Sequence, residues 1–353
     1  MKFLENIPLA PYTSFGIGGP AKFFCEAANK KELAEALYWA KGKSMPVFVL
    51  GSGSNILVSD TGFQGLVIKN QITGLNIEPA GDFTRALAGA GEVWDDFVSL
   101  VVSKNLAGVE CLSGIPGTVG AAPVQNIGAY GQSAAASIER VWAINSDTTE
   151  EIVFENNDCE FGYRTSVFSA KGGKNPGNYI LTKVSFLLKP NGAPTLIYQD
   201  LKNHFAGGAS PTLQKTREAV LEIRSAKGMV VKGEELHSSA GSFFMNPAIS
   251  EAALEGLKLK VARCKEMKNC CKDPWFWPRK DGLVKISAAC LIECAGFEKG
   301  MKSGNVGISP LHSLAIVNYG GASAKEVLAL SSEIQNKIKE KFGISLETEP
   351  QIV

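Results

Sequence analysis

The stretch "SGIPGTVGAAPVQNIGAYGQ", residues 113–132, limits what this chain can fold into more than any other segment. Its five glycines and two prolines are too closely spaced for either a helix or a strand. Almost no charge accompanies them, so the backbone suits lying flat against a large planar ligand. The scaffold must come from the flanking segments. At 353 residues, and about 100–200 residues per domain, two or three domains are expected.

Those flanks alternate helical and strand-like patterns without a fixed period, which argues for α+β domains rather than a repeat protein. Asn29 is placed to cap a helix through "KELAEALYWAK" that buries Leu33, Ala36, Leu37 and Ala40, and Val47–Leu50 follows as a strand. "ILVSDTGFQGLVI" predicts further strands. "EVWDDFVSLVVSKN" predicts a helix with Val93, Phe97, Leu100 and Val101 on its apolar face, and Gly108 as a breaker after it. "RVWAINS" and "YILTKVSFLLK" read as strands, and a helix is expected from Thr216. Ser323 and Glu326 form a capping box for a last helix ending at Gly343, with Val327, Leu330, Ile334 and Ile338 inside.

Charge and hydropathy exclude several functions. Lys and Arg total 36 against 35 Asp and Glu, so no field draws in nucleic acid. No apolar run approaches the ~18 residues of a membrane span, and Glu5, Pro8 and Pro11 interrupt the start too early for a signal peptide. A soluble, cytoplasmic protein is expected. Cys264, Cys270, Cys271, Cys290 and Cys294 fall within 31 residues, but without a C-x-x-C pair or an intervening His. Free thiols are therefore expected, and no metal site.

Two segments begin G-x-G, "GSGSNI" (51–56) and "GAGEVW" (89–94). Neither completes a dinucleotide fingerprint, because Ile56 and Trp94 stand where a third small residue is needed. "GSGSN" nevertheless offers consecutive amides, two hydroxyls and a carboxamide, a nest suited to a pyrophosphate. One loop for phosphates and one for a ring suggest a flavin dinucleotide.

"NIPLAPYTSFGIGGPA", "VLGSGSNILVSD", "IPGTVGAAPVQNIGAYG", "FGYRTSVF", "LIYQDL", "AGSFFMNP" and "LETEP" together resemble the UDP-N-acetylenolpyruvoylglucosamine reductase family, in the family's order and over nearly the whole chain. The resemblance implies a vanillyl-alcohol-oxidase-type FAD-binding domain of two α+β subdomains, residues 1–72 and 73–212. It also implies a UDP-sugar domain at 213–345, with the tail 346–353 returning to the first subdomain. FAD and NADPH would be the cofactors and the enolpyruvyl ether of a UDP-sugar the substrate, taken up by a monomer. Flavin contacts would come from Gly51, Ser52, Gly53, Ser54 and Asn55, then Ile115, Gly117, Gly120, Gln125, Asn126 and Gly128. By the same resemblance Arg164 and Glu349 would stabilise an enolate and Ser242 would donate a proton, while Tyr198, Lys227 and Asn246 would bind substrate.

The chain departs from the family pattern in three places. Met245 stands where a lysine is common, Cys294 where glutamine is common, and residues 228–239 lack a Pro-Asp pair. Lys227 or Lys232 could compensate for the missing lysine. Rival readings are an oxygen-using oxidase on a related fold, which often tethers flavin through His or Cys, and a non-catalytic nucleotide-binding relative. His204, His237 and His312 all lie outside the Gly-rich loops, and Arg164, Ser242 and Glu349 are retained together.

Overall fold

The computed structural model describes residues 1–169, 178–229, 238–268, 274–279 and 281–353. The chain divides into two units. One comprises Met1–Ile7, Pro20–Gly53 and Phe63–Lys232, the other Pro8–Gly19, Ser54–Gly62 and Gly233–Val353.

In the first unit Asn29 caps its helix as its type predicts, its side chain accepting the Glu32 N–H at 3.0 Å. The helix Lys30–Gly42 buries Leu33, Ala36, Leu37 and Ala40 against a four-stranded sheet ordered Leu4–Pro8, Pro20–Ala27, Phe63–Asn70, Val47–Leu50. Pro20–Ala27 and Val47–Leu50 both run parallel to Phe63–Asn70, as strands joined by a crossover helix must. A second sheet is antiparallel, ordered Glu151–Glu155, Ile138–Asn145, Tyr179–Pro190, Phe83–Gly89, Leu75–Ala80. The short strand Leu106–Ala107 also pairs with Tyr179–Pro190.

The helix Trp94–Ser103 is turned relative to the face expected for it. It buries Trp94, Phe97, Val98, Val101 and Val102, while Val93 is the residue before the helix and is 51 % exposed. The fully buried Trp94 sets this rotation, because its ring meets Phe97 and Phe186 and its indole N–H donates to the Leu112 carbonyl at 2.9 Å. The helix expected from Thr216 begins earlier, at Leu213, where Thr212 accepts the Lys215 N–H.

The second unit is built round the helix Ala324–Phe342, which has the expected capping box at Ser323 and Glu326 and stops at Gly343 with φ +74°. Val327, Leu330, Ile334 and Ile338 share one core with residues of the helices Glu251–Lys268 and Ala288–Ala295. Two antiparallel sheets flank it, ordered Ser238–Ser239, Ile316–Asn318, Val306–Ile308, Lys302–Ser303 and Ala248–Ser250, Leu283–Ile286, Phe276–Pro278. The tail strand Gln351–Ile352 runs parallel to Ile56–Leu57. Parallel and antiparallel sheets in one chain make the fold α+β. No described helix is long and apolar enough to cross a membrane.

Cys25, Cys111, Cys159, Cys264 and Cys294 are free and buried. Cys290 is disulfide-bonded, which corrects the expectation of free thiols throughout the cluster. Disulfides follow the approach of Cβ atoms in space, which spacing along the chain does not report. Cys270 and Cys271 lie outside the described residues. Among the described residues no group of three His, Cys, Asp or Glu side chains is placed to hold a metal.

Burial pushes the Cys25 and Cys159 thiols up to about 12 and Cys111 higher still, so at neutral pH all three are protonated. A thiol reagent applied to the native protein is expected to spare them until denaturant is added, and rapid native labelling of any of the three would contradict this burial.

Asp60 caps the helix Ala324–Phe342 from a distant part of the chain, accepting the Ala324 N–H at 2.7 Å and the Lys325 N–H at 3.0 Å. Asp60→Ala is expected to lower the unfolding free energy by about 1–2 kcal/mol. Urea denaturation measures this, and an unchanged midpoint would show that the cap contributes nothing.

Candidate active site

The two glycine-rich loops meet. A Cβ built on Gly51 would lie 3.1 Å from Thr118 Oγ1, so the backbone of the first loop rests directly on the second. Gly53 has φ +65°, and the amides of Ser52 and Gly53 find no acceptor among the described residues. That is the condition of a nest able to receive phosphate oxygens.

The loop 113–132 has only a single 3-10 turn, Val119–Ala121, and the short hairpin Gly128–Ala129 with Gln132–Ser133. This is a small departure from the expectation of neither helix nor strand, and the first half of the loop is held by backbone pairing with its neighbours. The Trp94 N–H donates to Gly117 O at 3.1 Å, Val119 N–H to Glu92 O and Gly120 N–H to Ala90 O, both at 2.9 Å, and Gly114 N–H to the Asp95 carboxylate at 2.6 Å. A Cβ on Gly120 would fall 2.5 Å from Ala90 Cβ, closer than any side chain tolerates. "GAGEVW" is thus no nucleotide loop but the wall behind the loop 113–132. Its glycines let the chain pass Ile72 and Gln71, where a Cβ on Gly89 would lie 2.4 Å from Ile72 O and one on Gly91 2.7 Å from Gln71 C.

The turn carrying Arg164 docks on the far half of this loop. Asn126 donates to Gly162 O and accepts from Ala135 N–H, both at 3.0 Å, and Ser166 Oγ donates to Val124 O at 2.7 Å. Arg164 Nη1 reaches Gly128 O at 3.2 Å, and its guanidinium stands 5.7 Å from the centre of the Tyr163 ring. Asn126, Tyr130, Glu160 and Arg164 all have positive φ, between +42° and +56°. Each such residue costs about 1–3 kcal/mol and persists only where its surroundings enforce it, commonly at functional sites.

Beyond the hairpin Gly128–Ala129 and Gln132–Ser133, the Tyr198 ring stands edge-on to Tyr130 at 5.3 Å. Lys227 Nζ lies 5.8 Å from the Tyr130 ring centre and 2.7 Å from Asp200 Oδ2. Burial pushes the Tyr130 phenol up to about 12 and raises that of Tyr198 as well. The first unit thus gathers Gly51, Ser52 and Gly53 with Gly117 and Gly120, and Asn126 and Gly128 with Arg164, while Tyr198 and Lys227 share Tyr130. Ile115 and Gln125 lie half-buried in the same loop.

Arg224 belongs with this group although sequence reasoning passed over it. It is 8 % exposed, donates to Met229 O at 3.0 Å, and its Nε has no partner among the described residues. Burial lowers its pKa. A Cβ on Gly114 would come within 3.3 Å of that Nε, so the charge sits against the glycine-rich loop. The signal lay in the helix Leu213–Ala226, where Arg217 and Arg224 are seven residues apart on the buried face. Arg217 is neutralised there by Asp95 through two bonds of 2.6 and 2.8 Å, whereas Arg224 has no carboxylate partner among the described residues. A buried cation with no carboxylate partner among the described residues and the two-loop cradle together fit an anionic, dinucleotide-like cofactor.

In the second unit "GSFFMNP" is woven between two other segments. Phe243 N–H donates to Leu314 O at 2.7 Å, Glu349 N–H to Phe243 O at 2.9 Å, and Met245 N–H to Glu347 O at 2.9 Å. Phe243 and Phe244 are 0 and 1 % exposed, and Phe15 packs edge-on to Phe243. These anchors leave Ser242 half-buried, after Gly241 at φ +73°, with Glu349 half-buried on the neighbouring segment. Four residues from the end, Glu349 is held by the ladder rather than frayed. Gln351 N–H donates to Asn55 O at 3.1 Å, and Ser14 Oγ to Ser54 O at 3.2 Å, which ties the first loop's last residues into this weave.

Asn246 accepts the Ala288 N–H at 2.9 Å, so its carbonyl is occupied at the start of a helix. The Cys294 side chain is wholly buried in the core and presents nothing to a ligand. Lys232, like the rest of 230–237, lies outside the described residues.

Residues 21–149 match the model of an FAD-binding domain, and 233–353 that of the UDP-N-acetylenolpyruvoylglucosamine reductase C-terminal domain. The p-cresol methylhydroxylase structure shares the fold, with a TM-score of 0.51 at 11% identity over 98% of this chain and 85% of that one. These matches define the class, an FAD-binding oxidoreductase fold with an added C-terminal domain. The UDP-N-acetylenolpyruvoylglucosamine reductases of Streptomyces avermitilis and Thermobifida fusca are each 39% identical to the chain, over 99% of it and 94% and 98% of their own lengths. The crystal structure of the Thermus caldophilus reductase has a TM-score of 0.66 at 25% identity, covering 99% of this chain and 98% of that one. The chain belongs to the UDP-N-acetylenolpyruvoylglucosamine reductase family.

Gly120→Ala tests the cradle, since overpacking against Ala90 is expected to cost about 1–3 kcal/mol. The purified variant should melt lower and carry less FAD per protein by absorbance. A normal flavin ratio and melting temperature would show that the loop is not held at this point.

Proposed function

We propose that the chain is an NADPH-dependent flavoenzyme that reduces the enolpyruvyl ether of UDP-N-acetylglucosamine to UDP-N-acetylmuramate, a step in peptidoglycan precursor synthesis. The observation that carries this is full-length family membership at 39% identity. FAD would be held by Gly51–Asn55 and by the loop from Ile115 to Gly128, with Ile115, Gly117, Gly120, Gln125, Asn126 and Gly128 nearest to it. Bound there, FAD would supply hydride transfer from NADPH to the terminal vinyl carbon of the sugar ether.

Hydride arriving there pushes charge toward the substrate carboxylate. Arg164 is assigned to meet this developing enolate with its two-pronged guanidinium, assisted by Glu349. The strained backbone at Arg164 and its bond to Gly128 support the role, since they fix the cation beside the cofactor loop. Ser242 gives its proton to the adjacent carbon. That carbon is carbanion-like and strongly basic, so a weakly acidic hydroxyl suffices without a histidine. Tyr198, Lys227 and Asn246 are assigned to the UDP-sugar, with Tyr198 closing over its diphosphate.

The corresponding division of the chain is 1–72 with 346–353 for the first flavin subdomain, 73–212 for the second and 213–345 for the substrate domain. Pairing of Gln351–Ile352 with Ile56–Leu57 supports the return of the tail. The enzyme is assigned to the cytoplasm as a monomer acting on small molecules. The near balance of 36 basic and 35 acidic residues supports the absence of a nucleic-acid partner.

The test is anaerobic. Oxidised enzyme is bleached with NADPH, and then the UDP-enolpyruvyl sugar is added. Recovery of the yellow colour supports the reading, while bleaching that only oxygen reverses would favour an oxidase. In Ser242→Ala, reduction by NADPH is expected to stay near normal while reoxidation by the sugar slows at least about a hundredfold. Equal slowing of both halves would reject Ser242 as the proton donor.

A further inference from the structure

We propose that Glu110, acting through Gln132 and Thr195, is a positioning residue that locks the base of the segment carrying Tyr198 onto the glycine-rich loop and so sets affinity for the UDP-sugar. This rests on the reading of Tyr198 given above.

Glu110 is a fully buried carboxylate that the proposed chemistry does not use. No cation pairs with it among the described residues. Three N–H donors satisfy it instead: Gly108 N–H at 2.8 Å on Oε2, and Gln132 Nε2 at 2.7 Å and Thr195 N–H at 2.8 Å, both on Oε1. Gln132 also accepts the Cys111 N–H at 2.7 Å and donates to Thr195 Oγ1 at 3.0 Å. The Cys111 thiol completes the grip by donating to Thr195 O at 3.2 Å. Every polar atom of Thr195 is thereby held.

The chemistry requires a carboxylate at this position. Three donors converge on two oxygens, and an amide would turn its own N–H₂ against one of them. Burying the charge is costly, and here charge-assisted bonds offset the cost. They converge on one loop residue. Thr195 and Tyr198 are three residues apart, at most about 10 Å of chain. Between them Ile197 lies over Gly131, where a Cβ would come within 2.4 Å of its side chain. Tyr198 itself meets Tyr130 only ring to ring. Its reach is therefore set by where Thr195 is pinned.

A double-mutant cycle on the holoenzyme tests this. Glu110→Gln is expected to weaken binding of the UDP-enolpyruvyl sugar about tenfold, read by flavin absorbance, and to raise its KM with kcat and FAD affinity near wild type. In a Tyr198→Ala background the same change should have no further effect. Additive losses, or a parallel fall in FAD affinity, would overturn the proposal and leave Glu110 a packing residue. Should Glu110→Gln not fold, Thr195→Val carries the same cycle, because it removes only the Gln132 bond to Oγ1. Wild-type enzyme that fails to reduce the sugar would overturn the proposed function instead, which separates the two failures.

Discussion

The contact between Gly120 and Ala90 governs the flavin half of this protein. A backbone segment with so little regular structure must satisfy many of its amides and carbonyls elsewhere, and the loop 113–132 does so against Ala90, Glu92 and Trp94. That pairing brings the two segments so close that Ala90 carries only a methyl group and Gly120 no side chain at all. Once the loop is fixed there, its outer part needs only the short hairpin Gly128–Ala129 with Gln132–Ser133 and can hold residues at unusual dihedrals. Asn126 then extends the same order to the Arg164 turn by bonding Gly162 and Ala135. The glycines of "GAGEVW" serve this arrangement one layer further back.

In the second unit the equivalent constraint is the pairing of residues 243–245 with 347–349. A short polar segment near a chain end would fray in isolation. Here two buried phenylalanines anchor one strand, and the Gln351–Ile352 pairing with Ile56–Leu57 anchors the other. Ser242 and Glu349 consequently stand on adjoining segments whose register is set by apolar packing, with their side chains half-buried.

Local signals were the most legible part of the fold. Asn29, Ser323, Glu326 and Gly343 act at the helix ends where their chemistry places them, since caps depend on a few residues close in sequence. Periodicity predicts the helix Trp94–Ser103 but not its buried face, because the tertiary contacts of one tryptophan outweigh periodicity in so short a helix. The helix Glu251–Lys268 carries Leu254, Leu257 and Val261 at helical spacing, yet Gly256 and a charge-rich sequence mask it. Motifs named Arg164, Ser242 and Glu349, but nothing local announces that Asn126 spends both ends of its amide on the backbone, or that Asn246 caps a neighbouring helix. Those are long-range pairings, invisible until the chain is folded.

Buried charge separates the structural residues from those poised for ligands. Arg217 and Arg224 face inward from one helix, two turns apart. Arg217 is matched by both oxygens of Asp95, and that carboxylate also accepts the Gly114 amide, so the pair is closed and fixes the start of the loop. Among the described residues Arg224 makes one bond to a carbonyl and bonds no carboxylate, an arrangement in which burial of the charge is costly unless an anion offsets it. Among the described residues, the two arginines thus differ in having or lacking a bonded carboxylate. That difference leaves Arg224, among the described residues, with a buried charge that an anion would offset.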